Sequence, residues 1–383
     1  MRSTLFITAI VATTSLVSAQ MSFISVNKIA AVQIARSLTA SFPNPSIALV
    51  APPYWWWQSG SIIDGLLTYS HVTGDKLYND LLANTMLSQK SGSNDFMTPD
   101  ATGNDDQAWW GLAAMSAAEY GLPNVPGQPT WLDLARNVFN TQKGRWRTDR
   151  CNGGLKWKIN PSDPGFTYRS TISNGLFFQL AARLARFTND ADTLSWATKS
   201  YDWSVSVGLV SSQFDVFDGT DDSKGANGCV DVNHDQWSYN TAAFLYGAAV
   251  VAAHTKEQIW MDRTNGFIGA AQRNFIKNEQ FFEKFCQGSS SGCNTDQTSF
   301  KAVLARWMGT TATILPATKG TIAGVMGGAV KVVDQGWNAG MGVMEQFTAL
   351  EIVDALSSSV GSTGLPAVLA VRRKRSVAGR VWM

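Results

Sequence analysis

The chain has 383 residues, of which 45% are hydrophobic and only 16% charged, against roughly 25% charged in ordinary soluble domains. That balance excludes a disordered chain, and 31 basic against 29 acidic residues give no electrostatic basis for nucleic acid as a partner. The 15 Trp suit either a ring-rich core or a cleft that stacks flat apolar faces such as those of sugars.

The first residues have the pattern expected of a leader. Arg2 is positive, Leu5 to Val17 is apolar with scattered Thr and Ser, and Val17-Ser18-Ala19 ends on a small residue. Residues 1–19 therefore read as a secretory signal, too short and too rich in hydroxyls to anchor in a membrane. Cys151, Cys229, Cys286 and Cys293, an even number, fit an exported protein with three pairings open. Cys286 and Cys293 bracket a flexible Gln-Gly-Ser-Ser-Ser-Gly loop that a bridge closes easily, which leaves Cys151 for Cys229. Structural zinc is the weaker reading, because these spacings and three scattered His do not form a ligand set. The Asn-x-Ser strings at Asn44 and Asn160 both carry Pro in the middle, so neither is a glycosylation acceptor.

After a Pro-rich entry (Phe42 to Pro53), helical patterns alternate with Gly/Pro/Asn/Asp loops. They predict helices near 26–41, 55–72, 76–90, 105–120, 130–143, 172–188, 191–207, 236–253, 256–275, 296–314 and 337–357. Strand signals are few, Val216-Phe217 and short extended pieces in loops at best. This is an all-α pattern of recurring helix pairs. It fits a solenoid or a closed toroid of inner and outer helices, and equally an irregular bundle. One domain is expected over 20–357, with 358–383 as a tail.

Three strings could carry chemistry. In Gly103-Asn104-Asp105-Asp106-Gln107-Ala108-Trp109-Trp110-Gly111, the plain reading is a helix start, with Asn104 as N-cap and two acids at the positive end of the dipole. The chemical reading is a carboxyl pair whose proximity raises one pKa and leaves the other ionised, as glycoside hydrolysis requires. In Tyr54-Trp55-Trp56-Trp57-Gln58, three successive indoles span most of a helical turn and cannot all face one core. A third stretch holds Asp218, then Asp231-x-Asn233-x-Asp235, then Trp237 and Tyr239. It lacks the Gly and the bidentate Glu of a calcium loop, and its residues read better as the lining of a polar groove. No phosphate-binding Gly loop or Gly-x-Ser-x-Gly elbow occurs, which argues against nucleotide enzymes and Ser hydrolases.

At these residues the chain resembles glycoside hydrolase family 76, the α-1,6-mannanases, and within it the fungal cell-wall members. The strings that carry the resemblance run in order from about residue 50 to 310. They are Pro-Pro-Tyr54-Trp-Trp-Trp-Gln-Ser-Gly60, Gly103-Asn-Asp-Asp-Gln107, Cys151-Asn-Gly-Gly-Leu-Lys-Trp157, Thr171-Ile-Ser-Asn-Gly-Leu-Phe-Phe178 with Leu180-Ala-Ala-Arg-Leu-Ala-Arg186, Trp237-Ser-Tyr-Asn-Thr-Ala242, and Ser299-Phe-Lys through Arg306-Trp307. The resemblance implies an (α/α)6 barrel and a retaining mechanism with Asp105 as nucleophile and Asp106 as acid/base, needing neither cofactor nor metal. It implies α-1,6-linked mannan, or the glycan of lipid-anchored wall proteins, as substrate, and wall glucan as an acceptor should transglycosylation compete with hydrolysis. At least one of Trp55, Trp56 and Trp57 is then expected to wall the cleft together with Trp237 and Tyr239, with Asn104, Gln107 and Asp218 offering polar contacts to sugar hydroxyls. The rival reading is a catalytically silent mannan-binding wall protein on the same scaffold. The expected protein is a monomer, secreted or wall-associated. Its short apolar run Leu365 to Val371, followed by Arg372-Arg-Lys-Arg375, makes a poor lipid-anchor signal.

Overall fold

Helices that bury every side and helices that bury one stripe alternate along the chain, and this alternation builds the architecture. The computed structural model describes residues 27–360; the expected leader and all but the first residues of the expected tail lie outside them. Among the described residues there are twelve α-helices: α1 (27–39), α2 (Trp56–Thr73), α3 (Asn79–Gln89), α4 (Asn104–Glu119), α5 (Trp131–Gly144), α6 (Thr171–Thr188), α7 (Ala191–Ser206), α8 (Ser238–Thr255), α9 (Gln258–Phe275), α10 (Phe300–Ile314), α11 (Lys319–Gly336) and α12 (Val343–Val360).

Helices α2, α4, α6, α8, α10 and α12 each pack on the next, and α12 returns to α2, closing a ring. In α8 every residue from Asn240 to Ala253 is buried, as expected for a helix without a polar face. The outer helices lie against this ring. In α5 the buried positions are Trp131, Leu134, Ala135, Val138, Phe139 and Gln142, a stripe of helical spacing that meets the core. Thr130 caps that helix by accepting the N–H of Asp133 at 3.1 Å. Helix α1 closes the outer layer by burying Ala31, Ile34, Ala35 and Leu38. The fold is a single (α/α)6 barrel.

Small residues set the spacing of the ring. A Cβ on Gly309 would lie 2.5 Å from the Cα of Ala355, and one on Gly247 would lie 2.4 Å from the Phe178 ring. The α10–α12 and α6–α8 contacts therefore require the missing side chain.

The structure corrects the sequence reading in three places. Helix α11 falls in a stretch expected to be loop, because Gly320, Gly324, Gly327 and Gly328 lower the helical signal. Helices α10 and α12 start four to six residues later than expected, and α12 runs to Val360, past the expected domain end. Val216 makes only an isolated bridge to Val210. The strands lie elsewhere: β1 (Tyr168–Ser170), β2 (Gly219–Asp221) and β3 (Val232–Asn233) form a small antiparallel sheet in the order β1-β2-β3. Ser170 pairs with Gly219, and Gly219 with Asn233. A two-strand ribbon, β4 (Ile276–Lys277) with β5 (Gln280–Phe281), follows α9. Asp231, first residue of the discounted calcium string, pairs with Lys224 instead. Both disulfides have the expected partners, Cys151–Cys229 and Cys286–Cys293. Among the described residues no helix is long and apolar enough to cross a membrane.

Candidate active site

The first turns of α2, α4, α6, α8 and α10 contribute Trp56, Asp105, Ile172, Tyr239 and Phe300 to one cavity of about 610 Å³ at the same end of the barrel. Loops between outer and inner helices complete its wall with Asp100, Trp157, Lys158, Tyr168, Asp218, Trp237 and Asp296. Helix N-termini carry a partial positive charge, so this end suits carboxylates.

Asp105 and Asp106 stand in the first turn of α4. The N-cap is Gly103, not Asn104 as the sequence suggested. A Cβ at position 103 would collide with Asp105 Oδ1 at 2.4 Å. Asp106 Oδ2 accepts the Gly103 N–H at 2.7 Å and the Thr102 hydroxyl at 3.0 Å. Asp106 therefore caps the helix and faces the cavity at once. Asp105 accepts on both oxygens, from the Ser173 hydroxyl at 3.2 Å and the Trp157 indole N–H at 3.1 Å. Burial, reinforced by the charge of Asp106, pushes Asp105 up to about 7. Burial raises Asp106 too, against the pull of the Gly103 N–H, Lys158 and Thr102. Two adjacent carboxyls with raised affinities keep one proton between them near neutrality.

Trp55, Trp56, Trp57, Trp237 and Tyr239 all line the cavity. Trp57 stacks on Trp109 at 5.2 Å and donates its N–H to Asp296 at 2.9 Å. Trp56 stacks on Trp110 at 4.9 Å and donates to Gln89. Tyr239 lies flat on Phe300 at 3.8 Å. Trp55 has fewer restraints, with 57% of its surface exposed at the rim.

Asp218 also lines the cavity and accepts the Tyr168 hydroxyl at 2.7 Å. Burial raises its pKa, and the hydroxyl of Tyr168 opposes the rise. The sheet makes that contact: Gly219 leaves room for the Tyr168 ring, which a Cβ would approach to 2.4 Å. Asn104 and Gln107, expected to touch sugar, do not line the cavity. They are buried behind the first turn, where Arg145 donates to Asn104 at 2.9 Å and to Gln107 at 2.8 Å. Their amides reach Lys156 O and Asp95 O, which ties α4 to its flanking loops.

The sequence reading did not single out Trp157, Lys158, Tyr168, Ser173 or Asp296. Trp157 and Ser173 lie inside strings that carry the resemblance, so the signal was present. Asp296 and Lys158 lie in loops with no local pattern to distinguish them. Among the described residues no cluster of His, Cys, Asp and Glu could hold a metal ion.

Comparison with known proteins agrees with this geometry. The profile of Glycosyl hydrolase family 76 matches residues 24–359. The chain is 38% identical over 338 residues to the mannan endo-1,6-alpha-mannosidase DCW1 of Eremothecium gossypii, covering 81% of this chain and 74% of that one. The crystal structure of Dfg5 from Chaetomium thermophilum in complex with glucosamine is 32% identical, with a TM-score of 0.81 over 87% of this chain and 90% of that one. An α-1,6-mannanase of Salegentibacter, solved as an inactive double Asp-to-Asn variant with α-1,6-mannotriose, shares the fold. It has a TM-score of 0.70 at 16% identity and covers 86% of this chain and 99% of that one. A match over almost the whole described chain, joined to a carboxyl pair at the floor of an aromatic cavity, settles the assignment: the chain belongs to glycosyl hydrolase family 76.

Proposed function

We propose that the protein is a mannan endo-1,6-α-mannosidase that cleaves α-1,6-mannosidic bonds with retention. The observation that carries the reading is the pair Asp105–Asp106, raised in pKa and sharing one aromatic-walled cavity. Hydrogen bonding supports distinct roles. Asp105 receives a donor on each oxygen, which favours its anion and aims it as the nucleophile on the anomeric carbon. Asp106 receives both of its donors on Oδ2, so Oδ1 is left to carry a proton to the leaving oxygen. Once the glycosyl–Asp105 ester has formed, Asp106 takes a proton from the incoming hydroxyl and the ester breaks. Water gives hydrolysis, and a sugar hydroxyl gives transglycosylation.

A neutral mannan is gripped by stacking and hydrogen bonds. Trp55, Trp56, Trp57, Trp237 and Tyr239 supply faces, and Asp218 and Asp296 supply acceptors. The site of action is the cell surface or wall, in keeping with two disulfides and relatives named as mannosidases. A wall glucan is the natural acceptor to test for transfer. The silent-scaffold alternative leaves two oriented, pKa-shifted carboxyls without a purpose.

The experiment is incubation with α-1,6-mannooligosaccharides, with product length read by mass spectrometry and the first-formed anomer by NMR. Shortened oligomers with an α first product are expected. Absence of cleavage across oligomer lengths and acceptors overturns the reading, and a β first product overturns its retaining mechanism.

A further inference from the structure

Lys158 is the one cation among the described residues lining the cavity, which it shares with Asp100, Asp105, Asp106, Asp218, Asp296 and the phenols of Tyr168 and Tyr239. Its backbone is fastened to the start of α4. Gly103 and Lys158 form an antiparallel bridge, the Asn104 N–H reaches Trp157 O at 2.9 Å, and the Ile159 N–H reaches Thr102 O at 3.0 Å. The aliphatic stem turns the ammonium over the Trp157 ring, 4.3 Å from its centroid. From there Nζ donates to Thr102 Oγ1 at 2.9 Å, and Thr102 Oγ1 donates to Asp106 Oδ2 at 3.0 Å.

We infer that Lys158 is a positioning residue which, through the Thr102 hydroxyl, fixes the oxygen of Asp106 that carries the transferable proton. An ammonium has three donors and no acceptor. The hydroxyl of Thr102 cannot point at it and must turn its single hydrogen toward Asp106. With the Gly103 N–H also on Oδ2, that oxygen is saturated as an acceptor. The proton is confined to Oδ1. Separately, the positive charge limits how far both carboxyls rise. This inference rests on the glycosidase reading of the site.

The test compares pH–rate profiles of wild type, Lys158→Met, Lys158→Arg and Thr102→Val on α-1,6-mannotetraose, with kcat and KM separated. Lys158→Met should move both limbs of the profile upward by about 0.5–1 pH unit, because a stabilising positive charge is lost. Lys158→Arg should restore the wild-type limbs. Thr102→Val keeps the charge but breaks the chain. It should raise the alkaline limb alone and lower kcat about 10-fold with KM little changed, the pattern of a misdirected proton donor. A Lys158→Met profile that superimposes on wild type overturns the inference. So does a Thr102→Val profile that does so while Lys158→Met shifts, since the hydroxyl would then carry nothing. Absence of wild-type turnover at every pH overturns the glycosidase reading itself, a result distinct from either.

Discussion

Asp105 and Asp106 are adjacent in sequence, yet their surroundings differ oxygen by oxygen, and the proposed division of roles rests on that difference. Catalysis needs one carboxylate and one carboxylic acid. Burial raises both carboxyls, Asp105 to about 7 and Asp106 in the same direction. Activity should therefore be bell-shaped, rising as the first proton leaves the pair and falling as the second leaves, because the proton donor is then lost. A rate that keeps rising beyond pH 8 would contradict the shared proton. Asp106→Asn should lower turnover about 10²–10⁴-fold, the usual contribution of a placed general acid, and Asp105→Asn should abolish it. Asp106 also caps α4, but an amide oxygen accepts the same N–H, so its variant should keep stability within about 0.5 kcal/mol, whereas a collapsed thermal midpoint would mean that capping is its main role. The indoles separate in the same way. Trp55→Ala, at the exposed rim, should weaken mannooligosaccharide binding by roughly 1–3 kcal/mol and leave stability within about 0.5 kcal/mol. Trp110→Ala, in the core behind Trp56, should cost about 3–5 kcal/mol of stability. Titration calorimetry and thermal melts on the two variants distinguish wall from core.

The glycines of the helices do different jobs, and substituting them one at a time should reveal it. In α10, Gly309 faces the Ala355 backbone of α12, and an added methyl would sit 2.5 Å away. Gly309→Ala gains about 1 kcal/mol of helix propensity, but overpacking costs about 1–3 kcal/mol, so a net loss is expected. In α9, a methyl on Gly269 meets nothing within 4 Å, and Gly269→Ala should stabilise by up to about 1 kcal/mol. Denaturant midpoints of the two variants should therefore move in opposite directions. This contrast also shows what was legible in the sequence. The stripe of α5 and the unbroken apolar run of α8 announce helices because periodicity and burial are local. Helix α11 was hidden because three of its glycines, Gly320, Gly324 and Gly327, face open space and only weaken the pattern. The carboxyl pair and the Trp run were visible as strings. Asp296 and Lys158 were not, since only the convergence of loops from separate helix pairs brings them to the cavity. Asn104 and Gln107 misled for the converse reason. They flank the pair in sequence, but helical geometry turns them away from it.

Closure of the ring is a property of the whole chain, and a buried charge cluster records it. Arg306 of α10 donates to Asp64 of α2 at 2.7 Å and to Glu351 of α12 at 2.7 Å, joining the first and last inner helices. All three side chains are buried. A pair of this kind is weak evidence for stability while intact. Arg306→Met leaves two carboxylates without their cation and should cost about 3–5 kcal/mol. One turn away, Asp354 of α12 is also buried, and neither carboxyl oxygen has a hydrogen-bond partner among the described residues. Burial, aided by the charge of Glu351, holds its pKa well above the ordinary value. The sign follows from linkage. Above about pH 4 the unfolded chain releases this proton while the folded chain retains it, so Asp354 makes folding less favourable as pH rises. The slope is up to about 1.4 kcal/mol per pH unit until the folded group ionises. Asp354→Asn keeps the shape and removes the titration. Wild type and variant should have equal stability near pH 4, and the variant should pull ahead progressively toward pH 7, as measured by urea unfolding at a series of pH values. A constant offset, or a variant that loses ground as pH rises, would mean that Asp354 is ionised in the folded barrel and neutralised by a charge this cluster does not contain.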